Sequence, residues 1–208
     1  MERLNPKKVA LIVAQPCDET LWAGGTILRH PSWDWFIVCL SMGGETDCVL
    51  KYNEALKYLR AKGVIGNLHG GADQKTLNDT EVEQTITDLL PAHYFDLIIS
   101  HHPAGDYTSS IWQEETGKAV IRLWHSGKIL AGEFWAFAYE DGDRSYLPKA
   151  METAKIYHVL SKRIWSRKKS IITDTYGFGQ NSIEAKSTPL AESYRPFTNS
   201  FEARKLLN

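Results

Sequence analysis

Short apolar runs alternate along the chain with segments of helical spacing. The runs cover residues 9–14, 35–40, 64–68, 95–100 and 133–139. Continuous runs of this kind are typical of strands buried on both faces of a parallel sheet. Apolar positions at helical spacing predict helices over residues 20–29, 49–62, 81–90, 113–124 and 150–167. Gly63 is expected to end the second of these helices, and the tail after residue 175, rich in Gly, Ser and Pro, is expected to be irregular.

The alternation of strands and helices predicts an α/β fold. We expect a three-layer, Rossmann-like domain, in which a mostly parallel, doubly wound sheet carries helices on both faces. A length of 208 residues suits one domain spanning residues 1–208. Ligands bind beyond the carboxyl ends of the strands in such sheets. Polar loops follow the first strand at residues 15–19 and the fourth at residues 101–113, so the site is expected between them.

Composition and charge narrow the classes of partner. A formal net charge of −1 gives no basic surface for nucleic acid, and no apolar stretch reaches the roughly 18 residues that a membrane span needs. One basic run is expected to be the solvated face of a helix; it contains Lys162, Arg163, Arg167, Lys168 and Lys169. The polar residues 1–8 show no signal peptide, and three cysteines without metal-type spacing favour a reducing cytoplasm. Neither nucleic acid nor a membrane is therefore expected as a partner.

Three segments carry a family resemblance. Residues 14–25, A-Q-P-C-D-E-T-L-W-A-G-G, resemble a signature A-H-P-D-D-E followed by a Gly-Gly helix. Residues 105–115, G-D-Y-T-S-S-I-W-Q-E-E, resemble a segment G-E-Y-T-x-H-x-x-H-E-E. Residues 176–185, Y-G-F-G-Q-N-S-I-E-A, are similar to Y-G-F-x-x-x-S-F-E-A. In order and spacing the chain resembles the LmbE-like/PIG-L family, N-acetylglucosaminyl de-N-acetylase-like proteins, over nearly its whole length.

The resemblance implies a metal site whose residues are mostly replaced here. In the family a divalent ion, usually zinc, binds the first His, the second Asp and the last His of these motifs, and the first Asp is the general base. The metal positions correspond to Gln15, Asp18 and Gln113, and the base position to Cys17; Ser110 stands at a further family His. Only Asp18 is retained. A carboxamide is a weaker zinc ligand than imidazole, so we expect no metal or a weakly held divalent one.

These replacements predict an inactive or strongly impaired de-N-acetylase that keeps a small-molecule, sugar-like pocket. We expect a buried Asp18 to accept hydrogen bonds from the amides of Gln15 and Gln113 in place of the ion. The side chains expected near the pocket are Ser110, His101, His102, Tyr107, Trp22 and Trp112, with Arg144 as a further candidate at its rim. The family resemblance allows a homo-oligomer.

Two alternatives stay open at the level of sequence. One is an active metal-dependent N-deacetylase of an amino sugar or glycoconjugate, with Gln15, Asp18, Gln113 or a neighbouring histidine as poor ligands. Adjacent histidines point in different directions, so at most one of His101 and His102 is expected to face the pocket. The other alternative is thiol chemistry at Cys17, whose pKa a helix N-terminus would lower.

Overall fold

The computed structural model describes residues 6–69, 77–105 and 110–207. Tyr107, one of the expected pocket residues, lies outside this part of the chain. The strands are β1 (Lys8–Val13), β2 (Asp34–Ser41), β3 (Lys62–Leu68), β4 (Tyr94–Ser100), β5 (Leu130–Phe137), β6 (Tyr139–Glu140), β7 (Lys149–Ala150), β8 (Ile156–Val159) and β9 (Ala191–Phe197). The helices are α1 (Asp18–Arg29), α2 (Thr46–Leu59), α3 (Asp79–Leu89), α4 (Ile111–His125), α5 (Lys162–Ser170), α6 (Ile183–Ser187) and α7 (Ser200–Arg204), with a π-helical turn at Ile171–Thr175 and a 3₁₀ turn at Lys205–Leu207.

The main sheet has the strand order β3-β2-β1-β4-β5-β9-β8. Its first five strands are parallel, whereas β9 runs antiparallel to both β5 and β8. Successive residues of β1 face two different cores. One core contains buried side chains of α1 and α2, and the other contains those of α3, α4 and α7. The predicted three-layer α/β architecture, with helices on both faces of a mostly parallel sheet, is confirmed.

The predicted end of the second helix is wrong by a few residues. Helix α2 ends at Leu59, and Arg60 follows in the left-handed conformation with φ 58°. Gly63 lies inside β3, where a Cβ would collide with the carbonyl oxygen of Ile37. The glycine therefore serves close strand packing rather than helix termination.

The prediction for the last third of the chain is also wrong. Instead of one helix over residues 150–167, the chain forms β7, β8 and then α5. The sequence I-Y-H-V of β8 is β-branched and aromatic, and the Ser161 hydroxyl accepts a hydrogen bond from Ile164 N–H, which starts the helix there. The expected irregular tail contains β9, which completes the sheet between β5 and β8.

A buried ion pair ties this last third to α1. Lys168 Nζ lies 2.7 Å from Glu192 Oε1, and both side chains are fully buried. Lys168 is thus an exception to the expected solvated basic face, because Glu192 neutralises its charge. The Glu192 carboxylate also accepts backbone N–H bonds from Gly25 at 2.7 Å and Thr26 at 2.6 Å. Burial alone would raise the pKa of Glu192, but Lys168 and the hydrogen bonds from His158 and Thr26 hold it at about 2.

The Gly-Gly pair of α1 makes this arrangement sterically feasible. A Cβ on Gly25 would collide with the Leu160 side chain and lie 2.9 Å from Glu192 Oε1. A Cβ on Gly24 would lie 3.4 Å from the Lys168 side chain. The close backbone packing expected of these glycines is therefore present, against β9 and α5. In the part of the chain that the structure describes, no helix is long and apolar enough to span a membrane.

Lys168→Met should reduce the free energy of unfolding by about 3–5 kcal/mol, because it leaves the Glu192 carboxylate buried without its cation. Denaturant unfolding near neutral pH measures the loss. Lys162→Met, which removes an exposed cation from the same helix, is the control and should change stability by less than about 0.5 kcal/mol. A loss in Lys168→Met no larger than in the control would show that the ion pair does not stabilise the fold.

Acidification should narrow the difference in the free energy of unfolding between wild type and Lys168→Met. The pKa of Glu192 is about 2 in the folded protein, well below the ordinary glutamate pKa of 4.5. Stability from a depressed carboxyl pKa is fully present above the unfolded value and is lost as the pH falls through the folded one. Wild type should therefore lose more stability than the variant on acidification towards pH ~3. An equal loss in both proteins would contradict the assignment.

Candidate functional site

The loop after β1 holds Cys17 in a strained backbone conformation. Cys17 has φ 81° and ψ −21° and is the N-cap of α1. Its carbonyl accepts hydrogen bonds from the N–H groups of Thr20 and Leu21, and its own N–H donates to Glu19 Oε2 at 3.0 Å. The left-handed region suits Asp, Asn and Gly better than Cys. The backbone therefore retains a shape that fits the Asp found at this position in the family motif.

Asp18 is the centre of the site. Its side chain is 7% exposed and lies in the first turn of α1. Oδ2 accepts the Gln15 backbone N–H at 3.0 Å, and Oδ1 accepts the Trp22 indole N–H at 3.3 Å. Gln113 Nε2 lies 3.5 Å from Oδ1, at the limit of a hydrogen bond. Groups from the β1–α1 loop, α1 and α4 thus converge on one carboxylate.

The side-chain amides of Gln15 and Gln113 were both expected to donate to Asp18. The structure shows this contact for the side chain of Gln113. Gln113 is 3% exposed and directs its Nε2 to Asp18. Gln15 contacts Asp18 through its backbone, and its exposed side chain faces a cleft instead. Gln113 Oε1 is buried and has no hydrogen-bond partner among the residues that the structure describes. Exchanging the amide atoms would set this oxygen against the Asp18 carboxylate, so the orientation with Nε2 towards Asp18 is the favourable one.

The two adjacent histidines diverge, as predicted. His101 is fully buried, and its Nε2 accepts the Ala14 backbone N–H at 3.0 Å while lying 3.5 Å from Asp18 Oδ2. The half-buried His102 points elsewhere, with Nδ1 accepting the Ala104 N–H at 3.2 Å. Only His101 therefore reaches the surroundings of Asp18.

Glu19 is a buried carboxyl that the sequence did not single out. It is fully buried, and its Oε1 accepts the hydroxyls of Thr20 at 2.6 Å and Tyr176 at 2.8 Å. Burial raises its pKa to about 7, although these two hydrogen bonds oppose the shift. Tyr176 opens the third segment of the family resemblance, so this contact joins that segment to the first. Glu19 lies in the first of these segments and Tyr176 in the third, and their places in the two motifs are the signal that could have indicated the contact.

The Cys17 thiol does not have the expected low pKa. The residue is 7% exposed, and burial raises its pKa well above the ordinary value, with Asp18 and Glu19 adding to the rise. The effect of the helix N-terminus is therefore outweighed by desolvation and by two neighbouring carboxyls. A buried thiol with a raised pKa is a poor nucleophile.

A cleft of about 290 Å³ lies at the carboxyl ends of the first three strands. Of the predicted residues, Gln15 and Trp112 line it. The other lining residues follow the ends of β2 and β3 and were not among the expected pocket residues: Ser41, Met42, Glu45, Asn67, Leu68 and His69. Because these strands are parallel to β1, their ends share its edge of the sheet, and that rule could have indicated them.

The remaining candidates lie around this cleft or away from it. Trp22 is 1% exposed and packs against Tyr139 with a centroid distance of 4.7 Å, so it supports Asp18 and offers no ring face to a ligand. Ser110 is the half-buried N-cap of α4 and makes no side-chain capping bond. Arg144 lines a separate cavity of about 470 Å³.

The described residues around Asp18 do not fit a zinc ion. Zinc needs lone pairs from several ligands, but Gln113 presents an amide N–H to Asp18, and the Nε2 lone pair of His101 receives the Ala14 N–H. Within residues 6–69, 77–105 and 110–207, no group of three or more His, Cys, Asp or Glu side chains could hold a metal ion.

Solved structures show which fold this is. N,N'-diacetylchitobiose deacetylase from Pyrococcus horikoshii, solved with its inhibitor, is similar with a TM-score of 0.66 at 16% identity, covering 94% of this chain and 85% of that chain. The A40926 pseudoaglycone deacetylase Dbv21 gives a TM-score of 0.58 at 10% identity, with 94% and 98% covered. The chain has the LmbE-like/PIG-L deacetylase fold. The resemblance inferred from the three motifs is thereby confirmed at the level of the fold.

Proteins of this fold carry out different reactions. The 4-carboxy-2-hydroxymuconate hydratase GalB from Pseudomonas putida KT2440 is also similar, with a TM-score of 0.57 at 16% identity, covering 88% of this chain and 82% of that chain. Teicoplanin deacetylase Orf2, solved in a zinc-inhibited form, gives a TM-score of 0.53. No protein-family model and no curated protein matches this sequence. The fold alone therefore does not determine the reaction, which has to be argued from the site.

The folded protein should show one reactive thiol. Cys17 and Cys39 are buried, whereas Cys48 is partly exposed. An aromatic disulfide reagent should modify Cys48 in the native protein and all three cysteines in denaturant. Cys48→Ser should abolish the native reaction, and Cys39→Ser is the matched control that should leave it unchanged. Rapid native modification that persists in Cys48→Ser and disappears in Cys17→Ser would instead support thiol chemistry at Cys17.

Proposed function

We propose that this protein binds a small, sugar-like molecule in the cleft beside Asp18 and does not act as a zinc hydrolase. The observation that carries the proposal is the environment of Asp18. At the single retained metal position, the carboxylate accepts N–H groups from Gln15, Trp22 and Gln113. These donors stabilise the negative charge that a bound cation would otherwise neutralise.

The replaced base position supports the same proposal. A general base must accept a proton from water near neutral pH. Cys17 stands at that position, and burial keeps its thiol protonated and out of solvent. Water activation by the family's route therefore lacks both of its usual components.

The cleft supports a ligand with several hydroxyl groups. Its lining combines the neutral polar side chains of Gln15, Ser41 and Asn67 with the ring of Trp112. Amides and hydroxyls pair with sugar hydroxyls, and an aromatic face packs against the apolar face of a sugar ring. A volume of about 290 Å³ suits one or two sugar rings rather than a long chain.

A metal-dependent N-deacetylase is the second candidate, and one contact favours it. His101 Nε2 lies 3.5 Å from Asp18 Oδ2. If the hydrogen bond from the Ala14 N–H to this nitrogen were broken, His101 and Asp18 together would provide two ligands of a rebuilt metal site. Three of the structurally similar proteins above are deacetylases, which agrees with this candidate but shows only the fold.

A zinc titration separates the two candidates. Calorimetry on chelator-stripped wild type should show no binding tighter than about 10 µM, a free energy of roughly −7 kcal/mol. Asp18→Asn, which keeps the shape of the side chain, should give the same weak background. The double variant Gln15→His, Gln113→His is the positive control and should bind zinc more tightly, because it restores two imidazole ligands. Sub-micromolar binding to wild type that Asp18→Asn removes would overturn the proposal in favour of the deacetylase.

Ligand binding should depend on the ring of Trp112. Calorimetry with glucose, glucosamine and N-acetylglucosamine should detect at least one ligand, and Trp112→Ala should weaken it about tenfold through loss of stacking worth about 1 kcal/mol or more. Tyr58→Ala, which removes an exposed ring on α2 outside the cleft, should bind as wild type does. No binding of any of the three sugars, or equal binding by Trp112→Ala, would contradict the proposal.

A further inference from the structure

A second cavity, of about 470 Å³, lies between α6 and the loop that joins β6 to β7. Tyr146, Leu147 and Pro148 line it from the loop, and Ile183 lines it from α6. Its described lining residues differ from those of the cleft of about 290 Å³. Tyr146, Leu147 and Ile183 are exposed, and Ile183 keeps 64% of its surface in solvent. Neighbouring apolar side chains that remain in contact with solvent are typical of a binding surface.

Two opposite charges lie on the two walls of this cavity. Arg144 lines it from the loop, and Glu184 lines it from α6. Among the residues that the structure describes, neither side chain has an ion-pair partner, and the two do not pair with each other. Asp141 also lines the cavity, but it is buried and has an interaction of its own. A bound molecule would therefore meet a cation on one wall and an anion on the other.

The loop that carries Arg144 has a defined shape without a ligand. Residues 142–144 have positive φ values of 58°, 53° and 69°. The left-handed region is unfavourable for residues other than glycine, so contacts elsewhere in the loop have to hold it. The Tyr146 N–H donates to the Asp141 carbonyl at 3.1 Å, and Lys149 Nζ lies 4.6 Å from the centroid of the Tyr146 ring. These contacts present Arg144 at the cavity.

Glu184 belongs to the third segment of the family resemblance, residues 176–185. Tyr176, at the start of this segment, donates its hydroxyl to Glu19. The Ser182 hydroxyl accepts the Ala185 N–H at 3.1 Å and starts α6, which carries Glu184. In the described part of the chain, the Glu184 carboxylate makes no hydrogen bond that would explain its place there.

We propose that this cavity binds a zwitterion with an apolar body, either an apolar α-amino acid or a short apolar peptide. The carboxylate of the ligand would lie against Arg144, whose fork matches two carboxylate oxygens. Its ammonium would lie against Glu184, and its side chain would cover the apolar surface of Leu147 and Ile183. A ligand with a single charge would be attracted by one of the two charged side chains and repelled by the other. The site is independent of the sugar-like ligand proposed for the other cleft.

Thermal unfolding in the presence of amino acids tests this site. L-leucine and the dipeptide leucyl-leucine are each compared with glycine at equal concentration. Glycine is a zwitterion without an apolar body, so it reproduces the general effect of an amino acid on the solvent. A ligand that binds only the folded state raises the melting temperature with concentration. We expect a rise above the glycine baseline with one or both ligands, and the stronger ligand shows whether the site takes a free amino acid or a peptide.

Two derivatives of the stronger ligand test whether both charges are needed. N-acetylation removes the ammonium, and amidation of the carboxyl group removes the carboxylate. NMR titration should give dissociation constants about fivefold or more above that of the parent zwitterion for each derivative. Equal binding of either derivative would contradict the proposal.

Two variants assign the binding to the cavity. Arg144→Gln and Glu184→Gln should each weaken binding of the zwitterion by about fivefold. Glu184→Gln should also lose the preference for the free amine over the N-acetyl derivative, and Arg144→Gln the preference for the free acid over the amide. Arg163→Gln on α5 and Glu81→Gln on α3 replace exposed residues of the same kinds outside the cavity and should bind as wild type does.

Both substituted positions lie outside the two hydrophobic cores, so the variants are expected to fold, and melting in buffer alone verifies this. A melting temperature that no zwitterion raises above the glycine baseline would overturn the proposal. Undiminished binding by folded Arg144→Gln or Glu184→Gln would overturn it too. Neither result depends on whether the cleft beside Asp18 binds a sugar.

Discussion

A buried carboxylate requires hydrogen-bond donors, and the packing around Asp18 is organised by that requirement. The loop after β1 has to turn so that the Gln15 N–H reaches Oδ2, and α1 has to begin there so that the Trp22 indole reaches Oδ1. Helix α4, which follows β4, then approaches through Gln113. This residue lies 95 positions after Asp18 in the sequence. The relative position of β1 and β4 is thus coupled to the charge of one side chain.

Three buried carboxyl groups attach α1 to the rest of the domain, and each is satisfied differently. Asp18 accepts mainly N–H groups, while Glu192 has the Lys168 ammonium and keeps a pKa of about 2. Glu19 relies on the neutral hydroxyls of Thr20 and Tyr176, and its pKa is raised to about 7. The difference follows from the donors: a cation offsets the cost of burial, whereas hydroxyl groups offset only part of it. Proximity to α1 alone therefore does not determine whether a carboxyl is charged.

Sequence patterns predicted the first five strands and four of the helices. These strands are buried in the parallel part of the sheet and these helices pack on its faces, so the spacing of apolar residues within each element is enough to indicate it. They failed after residue 150, because whether I-Y-H-V forms a strand depends on β9, more than thirty residues further on. The site was predicted in part for the same reason. The motif alignment led to Asp18 and Gln113, and strand-end geometry to the edge of the sheet. The burial of Trp22 and Cys17, and the contribution of β2 and β3 to the cleft, depend on tertiary packing that residue spacing does not encode.

The position of β9 also affects how the chain matures during synthesis. Strand β9 lies between β5 and β8. Until residues 191–197 have been made, β5 is paired only with β4 and β8 has no partner in the sheet. Until then the open edge of β5, with its apolar Phe134 and Phe137, can pair with other chains. The same segment brings Glu192, and so Lys168 remains without its carboxylate for that interval. Completion of the sheet and neutralisation of the buried charge therefore both require the same segment of the chain.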